Sequence, residues 1–523
     1  PTSLNLNASA RLDDEGLFAE VLADRIDGSE GTLGLKATVL RDGAEIDVDL
    51  SLQEAADGIA ATLLNIPERP SVDLSIAGKG PLDDFTADIA LNTDEAPRLA
   101  GQVILTAEAE AEADGPPNRR IRADLGGDIT ALIVPEYHDF FGSDVGLRVD
   151  TLLLADGAVD VQDFSITAQA LDLEGQVTLN KDLWPSFVDI EGEIAQDGTP
   201  VVLPGSGNAI TVEAITLDVD FDHGQGDALT GRFDITDFRQ EAVTLDRAAL
   251  NIDGVLDGSV DAIGSFAADV TLDLAGIALK GEESAQEALG DAIKGALSIN
   301  YVEEQPLEIS GISISGADYG LSGDVIVQSF EGGIPIDLNL VVAVTDLSRF
   351  SALAGQSLGG AADVKASGRI VPLSSMFDLE LSGTADDVVA GIPEVDALMA
   401  GHTTLALAAE RSTEGTFVRG LDISNAAIEA QADATLRSSG SVVQADVKLA
   451  DVGLVVPDVD GPVTLVADAE QTEAGWKVDA SLNAPLDTSA NVSGIATGPD
   501  IDIAFDVSVP EVGAFVPQID GPL

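Results

Sequence analysis

The chain contains no cysteine. This absence excludes disulfides, thiolate zinc sites, iron–sulfur clusters and cysteine nucleophiles together, and it is compatible with a periplasmic or extracellular location without fixing one. With 3 histidines, imidazole ligands for a metal are scarce as well. Basic residues are few: 25 Lys plus Arg stand against 92 Asp plus Glu, a formal net charge of −67. Such a balance excludes sequence-independent binding to nucleic-acid phosphates, which requires clustered cations. Aromatic residues make up 4% of the 523 residues and methionine occurs twice. Small and branched aliphatics must therefore fill the interior, and the aromatic girdles of an outer-membrane barrel cannot be built. No run approaches the roughly 18 apolar residues of a spanning helix. The densest apolar patch, 338–344, is far shorter. Neither a basic n-region nor an apolar h-region follows Pro1, and the chain reads as an internal segment of a longer protein.

What is present is a folding composition. Hydrophobic residues are 45% and charged residues 22%, enough apolar surface to offset chain entropy despite the acidity. Apolar residues recur at every second position, the pattern of strands with one buried and one wet face. Leu4, Leu6, Ala8, Ala10 and Leu12 alternate with Asn5, Asn7, Ser9 and Arg11; Ile46, Val48, Leu50 and Leu52 alternate with Asp47, Asp49 and Ser51. The same design closes the chain, with Trp476, Val478, Ala480 and Leu482 and then Ile501, Ile503, Phe505 and Val507 in alternation with polar residues. Turn clusters such as Arg41-Asp42-Gly43-Ala44, Ala155-Asp156-Gly157 and Thr497-Gly498-Pro499-Asp500 are too short for parallel crossovers. Neighbouring strands should thus pair antiparallel as a meander. Helical periodicity is limited to 346–358 and 283–294.

Internal echoes point to repetition. Val456-Pro457-Asp458-Val459-Asp460-Gly461-Pro462 returns 60 residues later as Val516-Pro517-Gln518-Ile519-Asp520-Gly521-Pro522, and Ile392-Pro393-Glu394-Val395-Asp396 precedes it by 64. Val134-Pro135-Glu136-Tyr137 is a diverged copy, and Gly78-Lys79-Gly80-Pro81-Leu82 echoes Gly368-Arg369-Ile370-Val371-Pro372-Leu373. The spacing leaves room for about four strands per unit. Breaks are placed near 135, 205, 346, 392, 457 and 517 within one elongated β-repeat segment, 1–523. The expected fold is all-β: a long antiparallel repeating sheet, curled lengthwise into an apolar-lined trough with a few short helices. Roughly 40 strands at about 4.8 Å each would extend on the order of 190 Å.

No catalytic constellation emerges. Asp218-Val219-Asp220-Phe221-Asp222-His223-Gly224 imitates a calcium loop, but His223 occupies the glycine position and Leu229 that of the bidentate glutamate. A solvated strand face accounts for it better. His138 has carboxylates beside it but no second histidine or nucleophile, and Gly78-Lys79-Gly80 lacks the flanking residues of a phosphate loop. Neither enzymatic activity nor a cofactor or metal is expected. What remains is the apolar face itself, with Leu4, Leu6, Val48, Leu50, Val72, Leu74, Ile76, Ile89, Leu91, Val478, Leu482, Ile501, Ile503 and Phe505 as its expected lining. Such a lining would shelter phospholipid acyl chains or guide unfolded strands of client proteins.

Two segments carry a family resemblance. Gly-x-Gly-Pro-Leu-Asp-Asp-Phe-Thr-Ala at 78–87, and Asp346-Leu347-Ser348-Arg349-Phe350 followed by Gly359-Gly360-Ala361-Ala362-Asp363-Val364-Lys365-Ala366-Ser367-Gly368, resemble the TamB group of the AsmA-like family, inner-membrane subunits of the translocation and assembly module. The resemblance implies a periplasmic β-trough, tethered by an anchor outside this segment and reaching the outer-membrane barrel TamA through another part. It also implies a role in outer-membrane biogenesis, by phospholipid transfer or protein assembly. The alternative is a secreted acidic adhesin or surface-layer array of β-sandwiches, which calls for repeats of about 90 to 100 residues and linkers. A parallel β-helix enzyme ranks third, since it needs shorter coils and one acidic cleft.

Overall fold

A computed structural model describes residues 3–40, 45–81, 83–108, 117–205, 210–438, 440–456, 459–497 and 501–510. The turn residues 41–44 and 498–500, Pro457 and Asp458 of one repeat copy, and the whole copy at Pro517 lie outside them. The protein is all-β, 65% strand and 9% helix, with 33 strands among the described residues in antiparallel pairing that does not close into a barrel there. The chain forms two compact units, Pro1–Ala278 and Leu279–Leu523.

In the first unit the alternating segments pair with their neighbours in sequence, as hairpin-length turns dictate. Each register places apolar against apolar. Leu35 faces Leu50, Leu50 faces Ile76, and Ile76 faces Ile89 across four consecutive strands. Further along, Val149 faces Phe164, Val188 faces Phe221, and Leu217 faces Phe233. Since directly opposed residues share a face, the apolar rows join into one stripe. The second unit repeats the arrangement: Val342 opposes both Leu321 and Val364, and Leu465 opposes both Val447 and Leu482.

The curl follows from glycines set within that stripe. Gly101 stands in the apolar row between Ile89 and Leu125, and a Cβ there would overlap the carbonyl oxygen of Asp124 on the next strand. The same overlap is met at Gly175 and Gly254 in the first unit and at Gly383 in the second. A Cβ points out of the pleat toward its own face, so overlap with the adjacent backbone marks a sheet bent toward that face. Glycine at these slots permits the bend, as in designed curved sheets.

Two kinds of connection alternate along each unit. At one edge the strands are joined mainly by tight turns, as between Leu12 and Gly16 or Leu153 and Val159. At the other edge, longer connections recur, mostly after every fourth main strand, and carry all the short α-helices of the described residues: α1 (Ile59–Leu63) and α2 (His138–Phe141) in the first unit, α3 (Glu283–Leu289), α4 (Ser351–Ala354) and α5 (Pro393–Leu398) in the second. Only two strands separate α4 from α5. These connections consume residues that strands would otherwise use, which is why the strand count falls below 40. Positions 135, 205, 346 and 392 all fall within them.

The helical periodicity at 283–294 extends too far. Helix α3 stops at Leu289 because Gly290 turns at φ +78°, and a strand starts at Ala292. At 346–358 the Asp346 carboxylate accepts the Ser348 N–H at 2.9 Å, a 3₁₀ turn spans Leu347–Phe350, α4 follows, and Gly355 ends it at φ +68°.

Candidate functional site

The apolar face is the one extended feature that the fold builds repeatedly. Its covering is uneven. At the helix edge of the first unit, α1 and the turn after it place Ala61 and Ile66 over Val72, with Leu52 and Leu91 packed alongside. A second cluster joins Phe140 of α2 to Ala170, Val201 and Val212, against Leu171, Ile194, Ile215 and Ile235. In the second unit Val452, Val459 and Val463 form the same kind of plug against Leu449 and Leu482. There the Asp451 carboxylate accepts N–H groups from Gly453 at 3.0 Å and Gly461 at 2.9 Å, and these bonds, the Gly461 one foremost, hold its pKa below the ordinary value.

Away from these plugs the face stays partly exposed. Among the described residues, every buried hydrophobic side chain larger than alanine lies at the helix edge, Phe221 excepted. No described leucine, isoleucine or phenylalanine is among the fully buried side chains. A sealed β-sandwich core of this length would bury dozens of them.

The expected lining residues take three positions. Val48, Leu50, Leu74, Ile76, Ile89 and Leu91 are half-buried on strands Ile46–Glu54, Val72–Gly80 and Asp84–Thr93, where Leu50 opposes Ile76, Ile76 opposes Ile89 and Leu74 opposes Leu91, while Val48 opposes Gly78. Val478 opposes Ala469 and Gly494, Leu482 opposes Leu465 and Ala490, and Ile503 opposes Gly494. Leu4 and Leu6 in the first unit and Phe505 in the second lie on the apolar face of strands Leu4–Leu12 and Asp502–Ser508, which among the described residues pair on one side only, and they are exposed; exposed Ile501 directly precedes the latter strand. Val72 differs: at 4% exposure it belongs to the plug under α1 and is not open surface. The mid-strand glycines are part of the face that alternation misses, because a glycine in an apolar slot reads as a break in the pattern.

The opposite face is ionic. Lys79 meets Asp47 at 2.9 Å and Glu45 at 3.0 Å, and Arg120 and Arg122 both reach Asp150, at 3.0 and 3.1 Å. The pairing of Lys79, chiefly its hydrogen bond to Asp47, pushes its pKa up. Arg369 donates to Asp337 and holds that carboxyl below the ordinary range. Cations run out on strands Leu171–Leu179, Pro185–Ala195 and Ala214–Asp222, where Asp172 faces Glu193, Glu174 faces Glu191, Glu191 faces Asp218 and Asp189 faces Asp220. Desolvation, then its hydrogen bond with Asp220, raises the pKa of Asp218.

Like charges directly opposed destabilise a sheet by about 0.2–1 kcal/mol per pair. Glu191→Lys turns two such pairs into attractive ones, so thermal unfolding at low ionic strength should move upward by the equivalent of about 1 kcal/mol. In 1 M salt the gain should shrink, because the pairs are exposed and screened; a gain independent of salt would refute the electrostatic origin.

The remaining sequence candidates resolve as structure. Asp218 and Asp220 lie on a strand, Asp222 caps the following turn by accepting the Gly224 N–H at 2.7 Å, and His223 pairs with Asp227. His138 Nε2 lies 3.3 Å from the Ile133 carbonyl oxygen. No cluster of three or more metal-ligating side chains occurs among the described residues, and no helix there is long and apolar enough to cross a membrane. Compared with known proteins, the chain matches no family model, no curated protein and no solved structure.

Proposed function

We propose that this chain is a segment of a periplasmic, bridge-like module of outer-membrane biogenesis, whose curled apolar face shelters phospholipid acyl chains between the two membranes. One observation carries the reading: the apolar stripe is continuous through consecutive registers yet stays half-exposed between the helix-edge plugs. A two-chain lipid of roughly 30 methylenes loses on the order of 20 kcal/mol on entering water at about 0.8 kcal/mol per methylene. A continuous apolar lining removes that barrier. The near absence of aromatics supports the same occupant, since aliphatic walls leave width where rings would block it. The local resemblance to the TamB group supports the setting, with an inner-membrane tether and a TamA-like barrel engaged by parts outside this segment. Against an array of β-sandwiches stands the open sheet, whose long connections recur mostly every four strands, with no linker among the described residues.

Native mass spectrometry with lipid extraction, on protein purified from a bacterial periplasm without detergent, tests the proposal. Several phospholipids per chain are expected. The combined variant Leu50→Asp, Leu74→Asp and Ile503→Asp, checked for retained β circular dichroism, should lose most of them. A folded wild-type chain free of lipid would overturn the reading in favour of an interaction array, and co-purifying unfolded outer-membrane polypeptide in place of lipid would make client strands the cargo.

A further inference from the structure

The two edges of each unit are not equivalent. At the helix edge the buried plugs of Ala61 and Ile66, of Phe140 and of Val452 sit on the ends of the apolar rows. A side chain cannot slip past them without opening a packed cluster. At the other edge the connections are mostly hairpin turns, too short to fold back across the face, and apolar residues next to them stay exposed: Leu12 and Leu17 in the first unit, Leu436 in the second. Access to the apolar face is therefore lateral and one-sided.

Charge at the open edge is one-sided too. In the first unit its turns carry Asp13, Asp14, Asp182 and Asp261, and in the second Glu303 and Glu473, while cations in the described turns of that edge are few. A lipid that enters sideways leaves its headgroup beside these carboxylates. A net anionic headgroup is repelled there, whereas an ammonium group is attracted and its phosphate can remain in water.

Resting on the lipid-groove reading above, we propose that phospholipids load across the turn edge and that its carboxylates select headgroups bearing a free ammonium, as in phosphatidylethanolamine, over anionic ones. The selection acts on the headgroup, and the acyl stripe binds either lipid.

The test uses the whole 523-residue chain and vesicles of equal phosphatidylethanolamine and phosphatidylglycerol with identical acyl chains, with bound lipid quantified by mass spectrometry. Exposed pairs of this kind should favour the ethanolamine lipid by about fivefold at low salt. In 1 M salt the preference should vanish while total lipid is retained. Two charge-matched variants locate the effect. Asp182→Lys, Asp261→Lys, Glu303→Lys and Glu473→Lys alter the turn edge; Glu136→Lys, Glu241→Lys, Glu283→Lys and Glu394→Lys alter the helix edge by the same net charge. The first set should reverse the preference and the second leave it intact. Equal shifts from both sets would overturn the turn-edge assignment, and equal uptake of the two lipids by the wild type would overturn the selection. No uptake of either lipid would instead remove the groove reading on which the proposal stands.

Discussion

Phe140→Ala is expected to destabilise the first unit by about 3–5 kcal/mol, the range for truncating a buried aromatic to alanine. Phe140 is 6% exposed and packs with Ala170, Val201 and Val212, its ring edge-on to Phe141 at 4.9 Å between centroids. The surrounding groups come from three separate connections, so little can collapse into the space left behind. Urea unfolding of the variant should show a midpoint shifted far below that of wild type. Phe505→Ala supplies the contrast: at 70% exposure its ring leaves no cavity, and its removal should shift the midpoint by a small fraction of the Phe140 effect. Similar losses at both positions would mean that the plug is not where the helix edge derives its stability.

A second large effect is expected from filling the glycine slots. Alanine at Gly101, Gly175 and Gly254 would put each Cβ into the carbonyl of the neighbouring strand. Overpacking of this kind costs about 1–3 kcal/mol per site, and the sites share no partners, so the triple variant should lose about 5 kcal/mol. Loss of curl should accompany the loss of stability, visible as a larger radius of gyration by solution X-ray scattering. Gly34→Ala is the control. Gly34 lies on the polar face opposite Leu22 and Ser51, where the nearest atom to a new Cβ is the movable Ser51 hydroxyl at 3.1 Å. An unchanged radius in a folded triple variant would show that the curl does not depend on these slots.

The two predictions separate the layers of the architecture. Glycine slots bend the sheet toward its apolar face, and the plugs close one edge of the curl. Between them, Leu50, Leu74 and Ile76 stay half-exposed although each is opposed by apolar partners on both sides. The proposed lipid groove is that remainder.

Alternation by itself determined the fold class. A period of two along Leu4–Leu12, Ile46–Glu54 or Gly475–Ala484 allows one structure with one wet and one dry face, and the short turns between strands compel antiparallel pairing. Composition determined the aliphatic character of the dry face and the acidity of the other. Tertiary structure alone decided which parts of the dry face are open. Val72 reads in sequence like Leu74, yet α1 covers one and not the other. Helices of four to seven residues such as α1, α2 and α5 carry no periodic signal and are marginal by themselves; burial of Ala61 and of Phe140 against distant strands stabilises α1 and α2. The curl was hidden for the same reason, since the carbonyl that forbids a side chain at Gly101 belongs to Asp124, a strand away. Local pattern sets which side of each strand is apolar; contacts between residues far apart in the chain set how much of that side meets water.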